Sequence, residues 1–352
     1  MDENKEKVAE VVRTGCQGVL SVLVAVYNSA SYLRRCLDSL VGQTYPWLDI
    51  ICVDDCSEDN SLDILLEYAA NDSRVQVLHL DQNVGQAVAR NRALELSRGD
   101  WVTMVDSDDW LEEDAISKVI EALSVDEEID AAVFQLMKYY DDSNCHVYPI
   151  ASVLKTGKII SGMEAFEWSL DWQLHGLYVV RASIHHQYPY DTSSRLYSDD
   201  NTTRLHYLHS RKVIITEAKY FYRQHDSSAT HAVSVNRFLY LEANISMKKQ
   251  LIEEVRLHQL DGFERVLDRY ETIRWLNIVN ACWYYFLHKS HFTDDERLQA
   301  NGTIKKAFDT IERQRIAPTT RHKFGFYPFK SYSLFRFVGN IYFTLRCLLG
   351  RK

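Results

Sequence analysis

Short apolar runs alternate with helix-like patterns over the first third of the chain. The runs are rich in valine, isoleucine and leucine, which is typical of strands buried on both faces. They lie at Val19–Tyr27, Leu48–Val53, Val75–Leu80 and Trp101–Val105. After each run, apolar residues recur every three or four positions, as they do along one face of a helix. This alternation predicts βαβ units and an α/β fold with a doubly wound, mostly parallel, Rossmann-like sheet.

The pattern changes after residue 125. Residues 126–232 combine short strand-like runs with loops rich in aromatic residues and histidine, whereas residues 233–315 show mainly helical periodicity. The sequence therefore predicts four segments. They are a charged N-terminal extension at 1–17, an α/β domain at 18–232 with halves 18–125 and 126–232, a helical region at 233–315 and a C-terminal tail at 316–352.

The C-terminal tail is basic and apolar at the same time. Residues 316–352 contain no Asp or Glu, and the apolar positions between Leu334 and Leu349 cover much of a helix's circumference. Basic and aromatic residues together suit the anionic inner face of a cell membrane, so a peripheral contact with that surface is one interpretation. The other is that the apolar face packs on the rest of the chain or on a second subunit.

Composition narrows the function classes. The 352 residues carry a net charge of −9, which argues against a nucleic-acid partner because such binding needs a basic face for phosphates. The seven cysteines form no CxxC pair, so we expect reduced thiols in a cytoplasmic protein. The charged start MDENKEKVAE lacks the apolar core of a secretory signal, and no uncharged apolar stretch reaches the roughly 18 residues of a spanning helix.

The strongest chemical signal is MVDSDDWL, residues 104–111, at the end of the fourth predicted strand. Three carboxylates repel one another there unless something positive binds them. Asp106 and Asp108 have the Asp-x-Asp spacing that offers two hard oxygen ligands to Mn²⁺ or Mg²⁺. A metal site is therefore one interpretation. The other is that Asp108 or Asp109 caps the helix that follows.

Polar groups also follow the second and third strands. Asp54 and Asp55 stand in ICVDDCSEDNS, where Asp54 could accept a hydrogen bond from a base or a ribose, or serve turn and capping chemistry. Gly85 and Arg90 come after the third strand, and an arginine there suits a phosphate. Ligands of doubly wound sheets bind beyond the carboxyl ends of the strands, so these groups are expected to meet.

In this order and spacing, the segments resemble glycosyltransferase family 2, the inverting enzymes with a GT-A fold. The resemblance runs almost without gaps over SVLVAVYNSASYLRRCLDSLVGQTY (21–45), DIICVDDCSEDNSLDIL (49–65), NVGQAVARNRAL (83–94) and GDWVTMVDSDDWL (99–111). It implies a GT-A-type sheet. It also implies transfer of a sugar from a nucleotide-diphosphate donor, typically a UDP-sugar, to a hydroxyl acceptor.

The resemblance implies a nucleotide-sugar site built from the ends of several strands. Its members would be Val26, Tyr27, Asp54, Asp55, Gly85, Arg90, Asp106, Asp108, Arg223 and His225. Asp54, helped by Asp55, would read the base, and Arg90 would approach the diphosphate or the ribose. Asp108 would bind Mn²⁺ or Mg²⁺ directly, whereas Asp106 would contact the ribose or a metal-bound water.

A weaker resemblance extends to about residue 231. LYSDD (196–200) is similar to a Glu-Asp motif with aspartate in place of glutamate, and FYRQHDSS (221–228) is similar to a Tyr-Arg-x-His-x-x-Ser segment. Asp200 would then be the catalytic base with Asp199 beside it, although a helix cap is the alternative for this pair. Arg223 and His225 would lie near the diphosphate.

The implied acceptor is a glycan or a lipid-linked glycan, as in bacterial capsule, O-antigen or exopolysaccharide synthesis. Acceptor specificity would lie in the irregular stretch that contains Trp168, Trp172, His175, His185 and His186, unless these residues belong to the core or the rim. Two other functions stay open. One is an inactive nucleotide-sugar-binding or scaffold protein of the same fold, and the other is an Asp-dependent phosphotransferase.

Overall fold

The computed structural model describes residues 18–194, 197–225, 233–258, 263–323 and 326–350, so the predicted extension at 1–17 lies outside the described residues. The chain forms two compact units. The first consists of Met1–Thr192 and Thr202–His225, and the second of Ser193–Asn201 and Asp226–Lys352. The first unit contains most of the predicted α/β domain, and the second contains the predicted helical region and tail.

A ten-stranded mixed sheet forms the centre of the first unit. Its strands are β1 (Leu20–Val26), β2 (Leu48–Asp54), β3 (Val75–His79), β4 (Trp101–Met104), β5 (Trp110–Leu111), β6 (Ile129–Asp141), β7 (Asn144–Val147), β8 (Ile159–Ser161), β9 (Tyr178–Arg181) and β10 (Lys212–Arg223). The order is β3-β2-β1-β4-β9-β6-β10-β5, with β7 paired to β6 and β8 to β10. Strands β3, β2, β1 and β4 are parallel, as are β6 and β10, whereas β9 runs antiparallel between β4 and β6. The predicted α/β fold is confirmed.

Helices connect the strands, and the first four lie where the apolar periodicity predicts them, whereas the other three lie in the stretch predicted to contain short strands and loops. They are α1 (Ala30–Val41), α2 (Ser61–Asn71), α3 (Gln86–Leu96), α4 (Ala115–Leu123), α5 (Gly162–Ser169), α6 (Ala182–Gln187) and α7 (Ser198–His209), the last of which begins in the second unit and ends in the first. Helix α1 shows how the pattern works. Its buried residues Leu33, Cys36, Leu37 and Leu40 recur at helical spacing and join the same core cluster as the side chains of β1.

The parallel strands place their carboxyl ends along one edge of the sheet. Val26 pairs with Asp54, Asp54 with His79, and Leu23 with Met104. The residues that follow β1, β2, β3 and β4 therefore emerge side by side, at the edge where doubly wound sheets bind ligands. This edge, formed by the carboxyl ends of these four strands, is called the ligand edge below.

The second unit is helical, as predicted for the region after residue 232. Its elements are α8 (Tyr240–His258), α9 (Phe263–His288), α10 (Asp294–Asp309), α11 (Pro318–Arg321) and α12 (Tyr332–Leu348), with short 3-10 helices at Val235–Leu239, Lys289–His291 and Arg313–Arg315. The indole of Trp275 lies at the centre of this core, with the rings of Phe308 and Phe335 at centroid distances of 6.0 and 4.9 Å. Within the described ranges, no helix has the length and apolar character needed to cross a membrane.

Candidate active site

The loop between β4 and β5 carries the acidic motif, and each of its carboxylates has a different environment. Asp106 accepts a hydrogen bond at Oδ1 from Nη2 of Arg90 at 2.5 Å. Arg90 is only 2 % exposed, so a buried cation faces this carboxylate. The backbone N–H of Asp106 donates to the hydroxyl of Tyr220 at 3.0 Å. Two predicted residues, Arg90 and Asp106, are thus brought into direct contact.

Asp109 is the buried anchor of the motif loop. Its Oδ2 accepts from the hydroxyl of Tyr220 at 2.9 Å, and its Oδ1 accepts from the backbone N–H of Arg223 at 2.8 Å. Burial, followed by the charges of Asp106 and Asp108, raises the pKa of the Asp109 carboxyl well above its ordinary range. The suggestion that Asp108 or Asp109 caps the next helix is wrong, because α4 starts at Ala115 with Asp114 at its N-cap.

Asp108 is held from the end of β10. Nε2 of His225 donates to its Oδ2 at 2.9 Å, and Nε of Arg223 donates to its backbone carbonyl at 2.9 Å. The imidazole of His225 is stacked on Tyr32 at a centroid distance of 4.9 Å. Burial first, and then the charge of Asp106, raises the pKa of the Asp108 carboxyl, while His225 partly offsets the shift. Arg223 and His225, predicted from a distant segment, thus meet the Asp-x-Asp motif.

The donor set at the motif fits a hard divalent cation. Arg90 donates to Oδ1 of Asp106 and His225 donates to Oδ2 of Asp108, so the two carboxylates of the Asp-x-Asp motif each offer oxygen ligands beside a basic side chain. Mg²⁺ and Mn²⁺ take few carboxylates and complete their shell with water and phosphate oxygens. Among the described residues, no cluster of three or more His, Cys, Asp or Glu forms a closed metal site. An ion bound by only two carboxylates keeps coordination positions that the oxygens of a diphosphate can fill.

Asp54 presents a buried acceptor at the ligand edge. The residue is 0 % exposed, and its Oδ2 accepts from Nδ1 of His79 at 2.7 Å and from the backbone N–H of Ser57 at 3.2 Å. Its Oδ1 is also buried and has no hydrogen-bond partner among the described residues. Because a buried polar atom without a partner is costly, Oδ1 is suited to an N–H donor from a ligand. Sequence reasoning missed His79, although its place at the end of β3 beside Asp54 could have indicated it.

Asp55 organises the turn that starts α3. Its two carboxylate oxygens accept the backbone N–H groups of Val84 and Gly85 at 2.7 and 2.8 Å. Gly85 has φ +88°, a conformation that favours glycine. This turn sets the start of the helix that carries Arg90, so Asp55 and Gly85 help to position Arg90 through the backbone.

The residues at the end of β1 divide into a core position and an edge position. The side chain of Val26 is 1 % exposed and belongs to the core, and its carbonyl accepts from the backbone N–H of Asp55 at 2.8 Å. The side chain of Tyr27 is 47 % exposed. Tyr27 is therefore the residue of the pair whose side chain is available to a ligand.

Asp199 and Asp200 lie in the first turn of α7, within the second unit. Tyr197, which precedes them, has a left-handed φ of +65°. Leu196 of the quoted motif, and Asp226 to Ser228 of the later one, lie outside the described residues. The assignment of Asp200 as catalytic base therefore stays a prediction.

Comparison with known proteins identifies the family. The model for glycosyl transferase family 2 matches residues 21–189, so this part of the chain belongs to that family, and the resemblance noted from the sequence is confirmed. The chain is similar to the glycosyltransferase GlyG of Streptococcus pneumoniae, with 27 % identity over 218 residues, 60 % of this chain and 72 % of that protein.

Solved structures show the same fold. The chain is similar to TarS residues 1–349 of S. aureus in complex with UDP-GlcNAc, with a TM-score of 0.70, 17 % identity, and coverage of 95 % of this chain and 92 % of that chain. It is also similar to the mannosyltransferase PcManGT of Pyrobaculum calidifontis in complex with GDP-Man and Mn²⁺, with a TM-score of 0.53, 15 % identity and coverage of 96 % and 88 %. The family match therefore covers residues 21–189, and the solved structures extend the shared fold over most of the chain.

Because the pKa of Asp108 is raised, its ionised carboxylate is expected to lower the free energy of unfolding at neutral pH. A carboxyl whose pKa is higher in the folded state loses stability as pH rises from its ordinary pKa through the folded value. We expect Asp108→Asn to keep or raise the melting temperature at about pH 7.5. The rise should be roughly 2–4 °C for each 1 kcal/mol gained in the free energy of unfolding. The gain should shrink as pH falls toward about 4, where the wild-type carboxyl is neutral as well.

Thermal unfolding of wild type and Asp108→Asn at several pH values measures this. Asp114→Asn is the matched control, because Lys118 lowers the pKa of that exposed carboxyl and its loss should leave the melting temperature unchanged or lower. A melting temperature that falls in Asp108→Asn at neutral pH would show that the ionised carboxylate stabilises the loop instead.

Proposed function

We propose that this protein transfers a sugar, with inversion, from a nucleotide-diphosphate sugar to a hydroxyl of a glycan or lipid-linked glycan acceptor. The observation that carries the proposal is the pair Asp106 and Asp108, each paired with a basic side chain, on the same sheet edge as the buried acceptor oxygen of Asp54. The family resemblance supports a role in bacterial surface polysaccharide synthesis. A hexose or N-acetylhexosamine is the sugar class we propose.

The base-binding part of the proposal depends on Asp54. Its buried Oδ1 needs a donor, and the ring N–H of uracil or of guanine supplies one, whereas cytosine and adenine have no ring N–H on that edge. The complexes of similar folds contain UDP-GlcNAc and GDP-Man. We propose UDP as the nucleotide, as the family resemblance implies. His79 and Ser57 hold the other oxygen, so the carboxylate keeps one orientation toward the base.

The motif loop would stabilise the leaving group, which is the nucleoside diphosphate. Asp108, assisted by Asp106, would hold Mn²⁺ or Mg²⁺, and that ion would supply neutralising charge to the departing diphosphate. Arg90, Arg223 and His225 are the basic side chains in direct contact with the motif loop. Because hydrogen bonds already fix them, they would stabilise negative charge without reorganising as the bond breaks.

The acceptor side needs a base. In an inverting transfer the acceptor oxygen attacks C1 opposite the diphosphate, through an oxocarbenium-like transition state, and its proton passes to a carboxylate. We propose Asp200 for this role, with Asp199 next to it in the first turn of α7. The alternative of an inactive nucleotide-sugar-binding protein would need none of these acceptor-side groups.

Asp108→Asn tests the metal site. We expect release of UDP from UDP-sugars to fall by at least about 100-fold, because the leaving group loses its main electrostatic support. Wild-type turnover should stop in excess chelator and return with Mn²⁺ or Mg²⁺, while Asp114→Asn should resemble wild type. Full activity in chelator would refute the metal role. A wild type that binds UDP but never releases it from any of a panel of UDP-sugars would instead favour the inactive alternative.

Asp200→Asn tests whether Asp200 acts as the catalytic base or belongs to the donor site. Sugar transfer should be lost, while the dissociation constant for UDP stays within about twofold of wild type, since a base contacts the acceptor proton and not the nucleotide. Asp54→Ala should do the opposite and mainly weaken UDP binding. Calorimetric titration with UDP, together with a transfer assay, checks both variants. Loss of UDP binding in Asp200→Asn would move this residue to the donor pocket or to stability.

We also propose a peripheral contact with an anionic membrane through the tail, at the inner face of the cell membrane. Helix α12 has two apolar faces. Phe335, Gly339 and Phe343 are buried in the core of the second unit. The other face is exposed over its whole length and consists of Leu334, Phe337, Ile341, Leu345 and Leu348. The packing interpretation holds for the buried face, and the membrane contact is our proposal for the exposed face.

Charge favours a lipid surface as the occupant of the exposed face. The segment 316–350 has no acidic residue, and Lys323 and Lys330 are exposed next to the helix. Arg336 and Arg346 lie over the rings of Tyr285 and Trp283, so these two arginines belong to the packed side. Arg351 and Lys352 lie outside the described residues. A second copy with the same positive charge would be repelled, whereas anionic lipid attracts each basic residue by about 1 kcal/mol.

Vesicle binding tests the exposed face. The double variant Phe337→Glu with Leu345→Glu should lose co-sedimentation with vesicles of phosphatidylglycerol and phosphatidylcholine at low salt, and still release UDP from donor. Its control, Asn340→Glu with Thr344→Glu, adds the same charge on the polar sector of the same helix and should keep most of the binding. Equal loss of vesicle binding in both variants would indicate that the added negative charge, and not the apolar face, causes the loss. A wild type that self-associates without binding vesicles would indicate that the exposed face is a subunit interface.

A further inference from the structure

Trp172 combines two features that seldom occur together in a bulky residue. Its φ is +63°, in the left-handed region, and its side chain is 41 % exposed. A left-handed backbone is strained in a residue with a Cβ, and such strain persists only where the surroundings impose it. Exposing the indole to water forgoes the burial that would offset this strain. The molecule therefore keeps an aromatic ring at its surface at an energetic cost.

The loop around Trp172 is fixed on both sides. The backbone N–H of Leu174 donates to the carbonyl of Trp168 at 3.0 Å, and the hydroxyl of Tyr207 donates to the carbonyl of His175 at 2.8 Å. At Gly176 a Cβ would stand 2.6 Å from Oγ1 of Thr203, so the loop lies directly on α7. These contacts prevent the backbone from relaxing, and they present the indole in one place.

Strand register places this loop at the ligand edge. Strand β9 runs antiparallel to β4, with Arg181 opposite Trp101 and Val179 opposite Thr103. The amino end of β9 is therefore beside the carboxyl end of β4, and Oγ1 of Thr103 donates to the carbonyl of Tyr178 at 2.8 Å. The residues before Tyr178, which include Trp172, leave the sheet on the same edge as the acidic motif that follows β4.

The surroundings of the indole indicate a polar, uncharged or weakly charged ligand. The guanidinium of Arg204, itself 4 % exposed, lies over the ring at 5.7 Å and supports it from within the first unit. The neighbours Asp171 and Gln173 are exposed and joined by a hydrogen bond of 3.0 Å. One aromatic ring with hydrogen-bonding groups at its rim is too small and too polar to be a binding patch for lipid. The carboxylate of Asp171 disfavours an anionic ligand.

We propose that Trp172 is a stacking platform for a pyranose ring of the acceptor. One face of a pyranose exposes C–H groups that pack on the flat indole, while its hydroxyls stay at the rim beside Asp171 and Gln173. The inference rests on the proposed glycosyl transfer and gives the acceptor a chemical class, because a subsite on the same sheet edge as the Asp-x-Asp motif would take a saccharide ring. Of the residues named earlier for acceptor specificity, His175 and His185 are buried and do not face a ligand from solvent.

Ligand-observed NMR tests the platform. The probes are the methyl β-pyranosides of glucose, galactose, N-acetylglucosamine and N-acetylgalactosamine, added to the full chain with UDP and Mg²⁺. Trp172→Gly removes the ring while suiting a φ of +63°, and should weaken pyranoside binding by about tenfold. Trp172→Phe should stay within about threefold of wild type. UDP binding should be unchanged in every variant.

Trp47→Ala is the matched control. Trp47 is 42 % exposed, but it precedes β2 and so lies at the opposite edge of the sheet, and its loss should leave pyranoside binding unchanged. Pyranoside binding that survives in Trp172→Gly, or a wild type that binds UDP but none of the pyranosides, would overturn the platform and leave the transferase proposal standing. A wild type that fails to bind UDP would refute the proposed function itself.

Discussion

The candidate site depends on the hydrogen bonds that join Asp109 to the end of β10. Tyr220 and Arg223 occupy both oxygens of this buried carboxylate, and the Tyr220 hydroxyl also accepts from the backbone of Asp106. Immediately after Asp109 the chain enters β5, which pairs antiparallel with the same part of β10. The acidic loop is thus anchored by a strand more than a hundred residues away. Without that anchor, three adjacent carboxylates would have little reason to stay together.

The anchor also brings the basic groups to the acids. Because Arg223 and His225 follow Tyr220 at the end of β10, fixing that strand against the loop places them at Asp108. Arg90 reaches Asp106 from α3, whose start is set by the bonds of Asp55 to Val84 and Gly85. Burial first, and then the neighbouring carboxylates, raises the pKa values of Asp108 and Asp109, and the hydrogen bonds to these two groups only partly offset the shifts. A divalent cation with its diphosphate would complete the balance, which is the physical link between the fold and the proposed reaction.

Sequence patterns predicted the elements whose apolar residues form continuous runs or recur at short, regular intervals. The strands β1 to β4 and helix α1 follow from apolar runs and helical spacing, and the acidic motif falls where a buried strand ends. The two-residue strand β5 was not predicted, because two residues have no periodicity. Its presence explains why the capping interpretation of Asp109 was wrong. The roles of His79 and Tyr220 were missed for a related reason, since their partners lie 25 and 111 residues away in sequence.

Donor and acceptor residues differ in how visible they are to sequence reasoning. Asp54 and Asp55 stand at the end of β2, whose apolar pattern is strong, and each accepts hydrogen bonds from backbone N–H groups, so their places follow from the fold. The platform proposed for the acceptor is one tryptophan on a loop, with a φ of +63°. Tryptophan has no local preference for that conformation, and the loop that follows it is held by contacts of Gly176 and His175 with Thr203 and Tyr207 on α7. A feature of this kind appears only once the tertiary contacts are known. The sequence could therefore indicate Trp172 as one residue of an irregular stretch, but it could not indicate the left-handed backbone or the exposure of the indole.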